Sequence, residues 1–431
     1  MALLTVAETT FDAGTEGDYV SSNDALRILQ VKPQTLYSYV SRGLIRRLVR
    51  PGGRTSYYNR QDIQRLKARS LARSGHGPAA ASAMHWGEPV LETVITEITP
   101  DGPRYRERLA VDLAGEGHAF ESVAEYLWAG ALPLAHATWD SDYAQEGLGG
   151  ELSDMAGLHF RHILTQAAVL LARTPSTDIR AELRSGGRII RALAGTLGFL
   201  GPRPGYVTFE RHETIAHGIA RALGMDMNAA DVRALNAALV LVADHELTPP
   251  TFAARISASV GSDLESCIVA ALQVHFGSVL GLCCDRLDEL LDSLLSGSKL
   301  ASEFNPTLTS IWSSPGFDHP LYARGDPRAK MLIELAFAAD DRRERAEQGL
   351  MLLDGLFPNV REHPHLCEGL VVLCRSLGLQ RQVAGSLLAL GRSAGWIAHV
   401  IEQRTQGFII RPRGKFVAGT SGRSGRTIHN R

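Results

Sequence analysis

The chain has 431 residues, of which 45% are apolar and 21% charged, so it can bury a real core and is long enough for two or three domains. No run approaches the roughly 18 uninterrupted apolar residues of a membrane span. The opening MALLTVAETTFDAG carries acidic residues and no basic n-region, so no signal peptide is expected, and the expected location is cytoplasmic, with no membrane partner.

The net charge of −1 hides an asymmetry: residues 21–73 hold twelve Lys/Arg against only Asp24 and Asp62, leaving 33 basic and 44 acidic side chains elsewhere. A small basic module on a large acidic one points to a polyanion partner for the small one only. The five cysteines (Cys267, Cys283, Cys284, Cys367, Cys374) show no CxxC pair and no zinc spacing, so buried free thiols and no metal are expected. Cys283 and Cys284 are adjacent, poor geometry for a bond between them.

Residues 1–18 read as a flexible leader. Ser22-Asn23-Asp24 offers an N-cap for the helix ALRILQ, Val31 turns the chain, and Pro33 opens a second helix, QTLYSYVSR, stopped by Gly43. The strand LIRRLVR, the turn Pro51-Gly52-Gly53 and the returning strand RTSYYNR form a hairpin, and Asp62 begins a third helix, DIQRLKARSLAR. Helix, turn, helix and hairpin wing over residues 19–73 resemble the MerR-type winged helix-turn-helix family. The resemblance implies DNA as partner, with Gln34, Thr35, Tyr37, Ser38 and Arg42 facing the groove and Arg50 and Arg54 meeting phosphates from the wing. The alternative is a docking module whose basic face is solvated.

Residues 74–84 begin with SGHGPAAASA, a Gly/Ala/Ser linker without periodicity. Beyond it helical apolar spacing dominates: VAEYLWAGAL, FRHILTQAAVLLAR, IRALAGTLGFL, VRALNAALVLVADHE, LESCIVAALQVHF, LDELLDSLLSG, EGLVVLCRSLGL and VAGSLLALGRSAGWIAHVIEQ. Strand signals are confined to VLETVITEI and RYRERLAV. The fold is expected to be mainly α.

Residues 85–431 resemble the citrate synthase family, from HWGEPVLETVITEITPDGPRYRERLAVDLA through ADHELTPPTFAARISASVGSDLES and GFDHPLYARGDPRAKM to ALGRSAGWIAHVIEQRTQGFIIRPRGKFVAG. That resemblance implies a large helical domain (85–270 and 376–431), a small one (271–375) and a homodimer. It also implies a citrate (Si)-synthase-type acyltransferase joining acetyl-CoA, as co-substrate, to oxaloacetate. His245 and His319 would hydrogen-bond the oxaloacetate. Arg328, Arg392 and Arg411 would grip its carboxylates, the last across the dimer interface, and three guanidiniums suit a dicarboxylate because each can bind bidentately. Arg324 would meet a coenzyme A phosphate. No resident cofactor is implied.

The acyl-CoA side departs from the family. Condensation needs a base to take a proton from the thioester methyl and a donor to hold the enolate oxygen. The family's donor histidine, in Gly-Pro-x-His-Gly-Gly, corresponds to Leu280. Its aspartate base corresponds to Cys367 counting back from SLGL, or to Arg361 if Pro358-Asn359-Val360 is aligned instead. His275, five residues before Leu280, is no obvious substitute. Three functions stay open: a condensing enzyme of weak or lost activity, a non-catalytic di- or tricarboxylate sensor acting on DNA, and an inactive partner of an intact citrate synthase in a heterodimer.

Overall fold

The computed structural model describes residues 19–29, 31–41, 44–49, 56–60, 62–63, 91–133, 139, 147–172, 179–277, 281–296, 322, 324–357 and 360–412. They fall into two compact units, one within Met1–Glu92 and one over Thr93–Pro412.

In the first unit, β1 (Tyr19–Ser21) leads into α1 (Ser22–Leu29) and α2 (Pro33–Ser41), followed by β2 (Arg47–Val49) and β3 (Ser56–Asn59). The hairpin is present, and β1 joins it, so that β3 lies between β1 and β2, with Tyr19 opposite Asn59 and Leu48 opposite Tyr57. The α1 cap lies earlier than expected. Ser21 Oγ accepts from Asp24 N at 3.2 Å and donates to its carboxylate at 2.8 Å, so the helix starts at Ser22. Val20, Ala25, Leu29, Leu36, Ile45, Tyr58 and Ile63 form a small core. Arg46 Nε and Nη2 grip Asp62 at 2.8 and 3.1 Å, fastening the hairpin to the residues after it.

The second unit opens on a meander, β4 (Thr96–Thr99), β5 (Gly102–Tyr105) and β6 (Arg108–Leu109). The strand expected over RYRERLAV is cut in two, because Arg106 turns the chain with φ +53° and its Nε donates to Tyr126 O at 2.8 Å. Helices follow: α3 (Ala110–Gly115), α4 (Phe120–Ala129), α5 (Leu148–Glu151), α6 (Phe160–Leu170), α7 (Ile179–Gly195), α8 (Ile215–Ala222) and α9 (Ala229–Leu241). Then come α10 (Pro249–Ser259), α11 (Leu264–His275), α12 (Cys283–Leu295), α13 (Pro327–Phe337), α14 (Asp340–Leu356), α15 (Leu366–Ser376) and α16 (Val383–Gln406). The architecture is mainly α, as the apolar spacing predicts.

The last helix is the centre of this unit. Nearly every side chain of α16 is buried, as expected of a helix apolar on all faces. It packs on α4, α7, α9, α10 and α11, while α15 is flanked by α12, α13 and α14. Gly395 in α16 lets the chain pass close to Asp244: a Cβ there would overlap the Asp244 carboxylate, and Gly395 N donates to Ala243 O at 2.9 Å. No described helix is long and apolar enough to cross a membrane.

Candidate functional site

The turn after α9 carries Asp244, His245 and Glu246. Asp244 is fully buried. Its N–H donates to Tyr105 Oη at 3.2 Å, and that hydroxyl lies 3.0 and 3.1 Å from the carbonyl oxygens of Val240 and Leu241. One carboxylate oxygen accepts from Glu246 N at 3.1 Å and lies 3.3 Å from His399 Nε2 on α16. Burial pushes the Asp244 carboxyl up, but His399 and the Arg392 guanidinium more than reverse this and hold it below the usual range. Sequence adjacency suggests Asp244 as a partner for His245, whereas the structure gives it His399. Glu246 has φ +58°, a left-handed backbone that non-glycine residues adopt at a cost.

Arg328 and Arg392 come to this place from different elements. Arg328 sits in the first turn of α13, where Asp326 caps the helix and takes its Nε and Nη2 at 3.0 and 2.6 Å. Arg392 projects from α16. Both are buried, 2% and 8% exposed, and the Nη1 of each lacks a hydrogen-bond partner among the described residues. Burial, and then the charge of Arg328, bring the Arg392 guanidinium down to about 10, so each cation lies in the other's field. Tyr105 lies in the field of both; burial takes its hydroxyl up to about 12 although the arginines pull it down. The Tyr322 ring is 5.9 Å from the Arg328 guanidinium and 6.1 Å from the His245 ring. Tyr322 thus links Arg328 to the turn that carries His245, and buried guanidinium N–H groups without a protein acceptor suit an anionic oxygen.

The other expected residues divide. Arg411 is exposed on the extended stretch after α16, next to Ile410, whose N–H donates to Ser259 Oγ at 3.2 Å. Arg324 is exposed at the turn before Asp326. His319, Leu280, Arg42, Arg50 and Arg54 lie outside the described residues. On α2, Gln34 and Tyr37 are exposed, Thr35 and Ser38 half-buried, and Leu36 turns inward to the core.

The expectation of five free thiols is corrected. Cys283, at the start of α12, is bonded to Cys367, at the start of α15, across 84 residues of chain. Only Cys267, Cys284 and Cys374 are free and buried. Cys367 therefore has no thiolate to act as a base in this state. The spacing carried no sign of the pairing, since two helices far apart in sequence bring the sulfurs together. His275 was set aside in sequence, yet it closes α11 with its ring against the segment after Leu280. Gly281 N donates to His275 O at 2.6 Å, and a Cβ at Gly281 would come within 2.8 Å of the ring. Burial, reinforced by Arg392, takes its imidazole down to about 3, which favours the neutral ring. A cleft of about 300 Å³ lies elsewhere, lined by residues of α12, α14, α15 and the segment that follows it. There Arg375 is already paired with Asp288 and Asp292, at 2.7 and 2.6 Å, so its charge is spoken for.

Comparison with known proteins places the chain among two families. Residues 83–413 match the family described as citrate synthase, C-terminal domain, and residues 20–78 match the MerR HTH family of regulatory proteins. Citrate synthase 2 of Bacillus subtilis is 29% identical over 196 residues, covering 45% of this chain and 53% of that protein. The citrate synthase of Haloferax volcanii is 28% identical over 340 residues, covering 71% and 86%. A 2-methylcitrate synthase of Shewanella oneidensis is 27% identical over 228 residues, covering 50% and 58%. The chain thus spans only about half the length of the first and third of these relatives. Among solved structures, the citrate synthase of Thermotoga maritima has a TM-score of 0.58 at 22% identity, covering 78% of this chain and 95% of its own. That of Thermoplasma acidophilum, in a ternary complex with carboxymethyl coenzyme A and oxaloacetate, has 0.60 at 19%, covering 81% and 98%. Both likenesses are likenesses of fold.

Proposed function

The chain belongs to the citrate synthase family, and from that membership we propose that it holds oxaloacetate or a related di- or tricarboxylate between Arg328, Arg392 and His245, while condensation with an acyl-CoA is weak or lost. The observation that carries the binding half is the buried pair of guanidiniums, each with an Nη1 left for a ligand. A carboxylate between them would satisfy both donors and remove their mutual repulsion. Asp326 orients Arg328, and the Asp244–His399 contact fixes the turn that presents His245. By resemblance His319 adds a second imidazole and Arg411 a third guanidinium from a partner subunit.

The chemical half rests on two replacements. A carboxylate base would accept the methyl proton of the thioester, but its counterpart is Arg361 in the gapped register or, in the ungapped one that we adopt, Cys367, whose sulfur is bonded to Cys283. Leu280, at the donor's place, has no proton to offer the enolate oxygen. Each such loss costs a factor of about a hundred to a thousand, so together they leave little turnover. Calorimetry with oxaloacetate and citrate tests the binding, and no heat of binding at millimolar ligand would sink it. Release of free coenzyme A at several turnovers per second would sink the second half.

The N-terminal match favours a second reading, a regulator in which ligand occupancy alters DNA binding. Retention of the full chain on duplex DNA, with and without oxaloacetate, tests it, and identical retention in both would count against it. An inactive partner subunit in a heterodimer would instead co-purify with an intact citrate synthase.

A further inference from the structure

The bridge between Cys283 and Cys367 belongs to a larger sulfur cluster. The sulfurs of Cys283, Cys284 and Cys367 all lie within 4.8 Å of one another, with Cys284 3.9 Å from Cys283. The bridged pair are each about 5% exposed, whereas Cys284 and Cys374 are sealed at 0% and 1%. Burial, with Asp285 and Asp288 close by, pushes the Cys284 thiol far up. A three-thiolate metal centre would gather negative charge in a pocket that already holds those two aspartates, and the arginine beside them is committed to Asp288 and Asp292. A neutral bridge between Cys283 and Cys367, with Cys284 kept as a thiol, fits this electrostatic setting better.

The bridge also joins two elements, α12 and α15, that pack against those carrying Arg328 and Arg392. On the α15 side, Pro364 O accepts from Asp326 N at 2.8 Å, and a Cβ on Gly369 would meet the Ala329 backbone at 2.8 Å. The start of α15 is thereby locked to the turn that orients Arg328. On the α12 side, Cys283 is two residues from Gly281, whose N–H is bonded to His275 O; the His275 ring meets the Trp396 ring, on the helix that carries Arg392, at 5.6 Å, and a Cβ on Gly385 of that helix would come within 2.8 Å of the Asp285 carboxylate of α12.

We propose that Cys283 and Cys367 form a reversible dithiol–disulfide site, closed by a small-molecule disulfide and opened by a dithiol, whose state sets how firmly the Arg328 and Arg392 arms are held. Closure runs by exchange. One thiolate attacks the small disulfide, breaks its S–S bond, forms a mixed disulfide and releases one thiolate. The second cysteine then displaces the other half, and the two released thiolates take up the two protons the cysteines lost. A dithiol reverses both steps and is itself oxidised to a disulfide. The effect on ligand rests on the proposed carboxylate site; the bridge and its effect on the arms do not.

The full chain is treated with glutathione disulfide or with dithiothreitol, alkylated after denaturation and mapped by mass spectrometry, with amide hydrogen exchange followed in both states. Of the five cysteines, three are expected to react in the oxidised form, with the Cys283 and Cys367 peptides linked, and all five in the reduced form. Cys284→Ser should keep the link, and Cys283→Ser should abolish it. Reduction should speed exchange around Gly281 and over residues 324–330 by about fivefold or more. Oxaloacetate affinity should fall by a similar factor. Five reactive thiols after oxidation, a link through another pair, or zinc or copper retained by the same three cysteines would overturn the site. Equal exchange in both states would overturn the coupling. Absence of oxaloacetate binding in both states, with the link and the exchange difference present, would fault the carboxylate reading alone.

Discussion

His399 on α16 reaches across to Asp244 at the end of α9, Nε2 to carboxylate 3.3 Å, with neither side chain exposed to solvent. The contact joins the central helix to the turn that presents His245, and each partner is costly to bury without the other.

Asp244→Ala should therefore destabilise the second unit by about 3–5 kcal/mol, read from denaturant unfolding. Because the folded carboxyl sits below its ordinary value, its contribution to stability is complete above about pH 4. It is lost as the pH falls through the depressed folded value. A wild-type stability curve steeper with acid than that of Asp244→Ala would show this, and parallel curves would refute it.

Gly395→Ala places a methyl against the Asp244 carboxylate. Overpacking of this kind costs about 1–3 kcal/mol. It should also move the turn at His245, so the melting temperature and oxaloacetate affinity are expected to fall together. A variant that melts early but binds normally would separate the Asp244 contact from the site.

Arg392→Met removes one of two buried cations. Replacing a buried charge that has no ion pair among the described residues by an apolar side chain of similar length is expected to leave the ligand-free protein as stable as wild type or more so. Oxaloacetate binding should weaken about ten- to a hundredfold, the scale of lost charge-assisted hydrogen bonds. Thermal shifts with and without ligand read both effects, and a variant destabilised without ligand but unchanged in affinity would assign Arg392 to structure.

Much of the fold could be read in the sequence because apolar period reports burial directly, and α4, α6, α9, α11 and α16 fall close to their expected spans. The helix α14 was not read. Its sequence, DDRRERAEQGLMLLDGL, is mostly polar and buries Arg342, Ala346, Gly349, Leu350 and Leu353, with Arg342 meeting Asp231 at 3.3 Å. The site was half legible. Arg328, Arg392 and His245 carry motif signals, but His399, Tyr105, Tyr322 and the Cys283–Cys367 bridge depend on contacts between distant segments. Nothing in the local pattern of HVIEQ marks His399 as a partner of Asp244, 155 residues earlier.

In the N-terminal unit, Tyr37 is 57% exposed and its neighbour Leu36 is 1% exposed. Leu36→Ala should cost about 2–5 kcal/mol and unfold the small core, measured by loss of amide protection over residues 19–59. Tyr37→Ala should leave that protection intact and lower retention on duplex DNA. Unchanged retention would remove Tyr37 from the contact face.

The central claim is a site that grips its dicarboxylate without condensing it, and one calorimetric titration reads both halves. Oxaloacetate is injected into the full chain premixed with acetyl-CoA. The account predicts a saturating isotherm in which each injection returns to the starting baseline. A sustained shift of the baseline, the heat of continuing turnover, or the absence of any binding heat at millimolar oxaloacetate would contradict it.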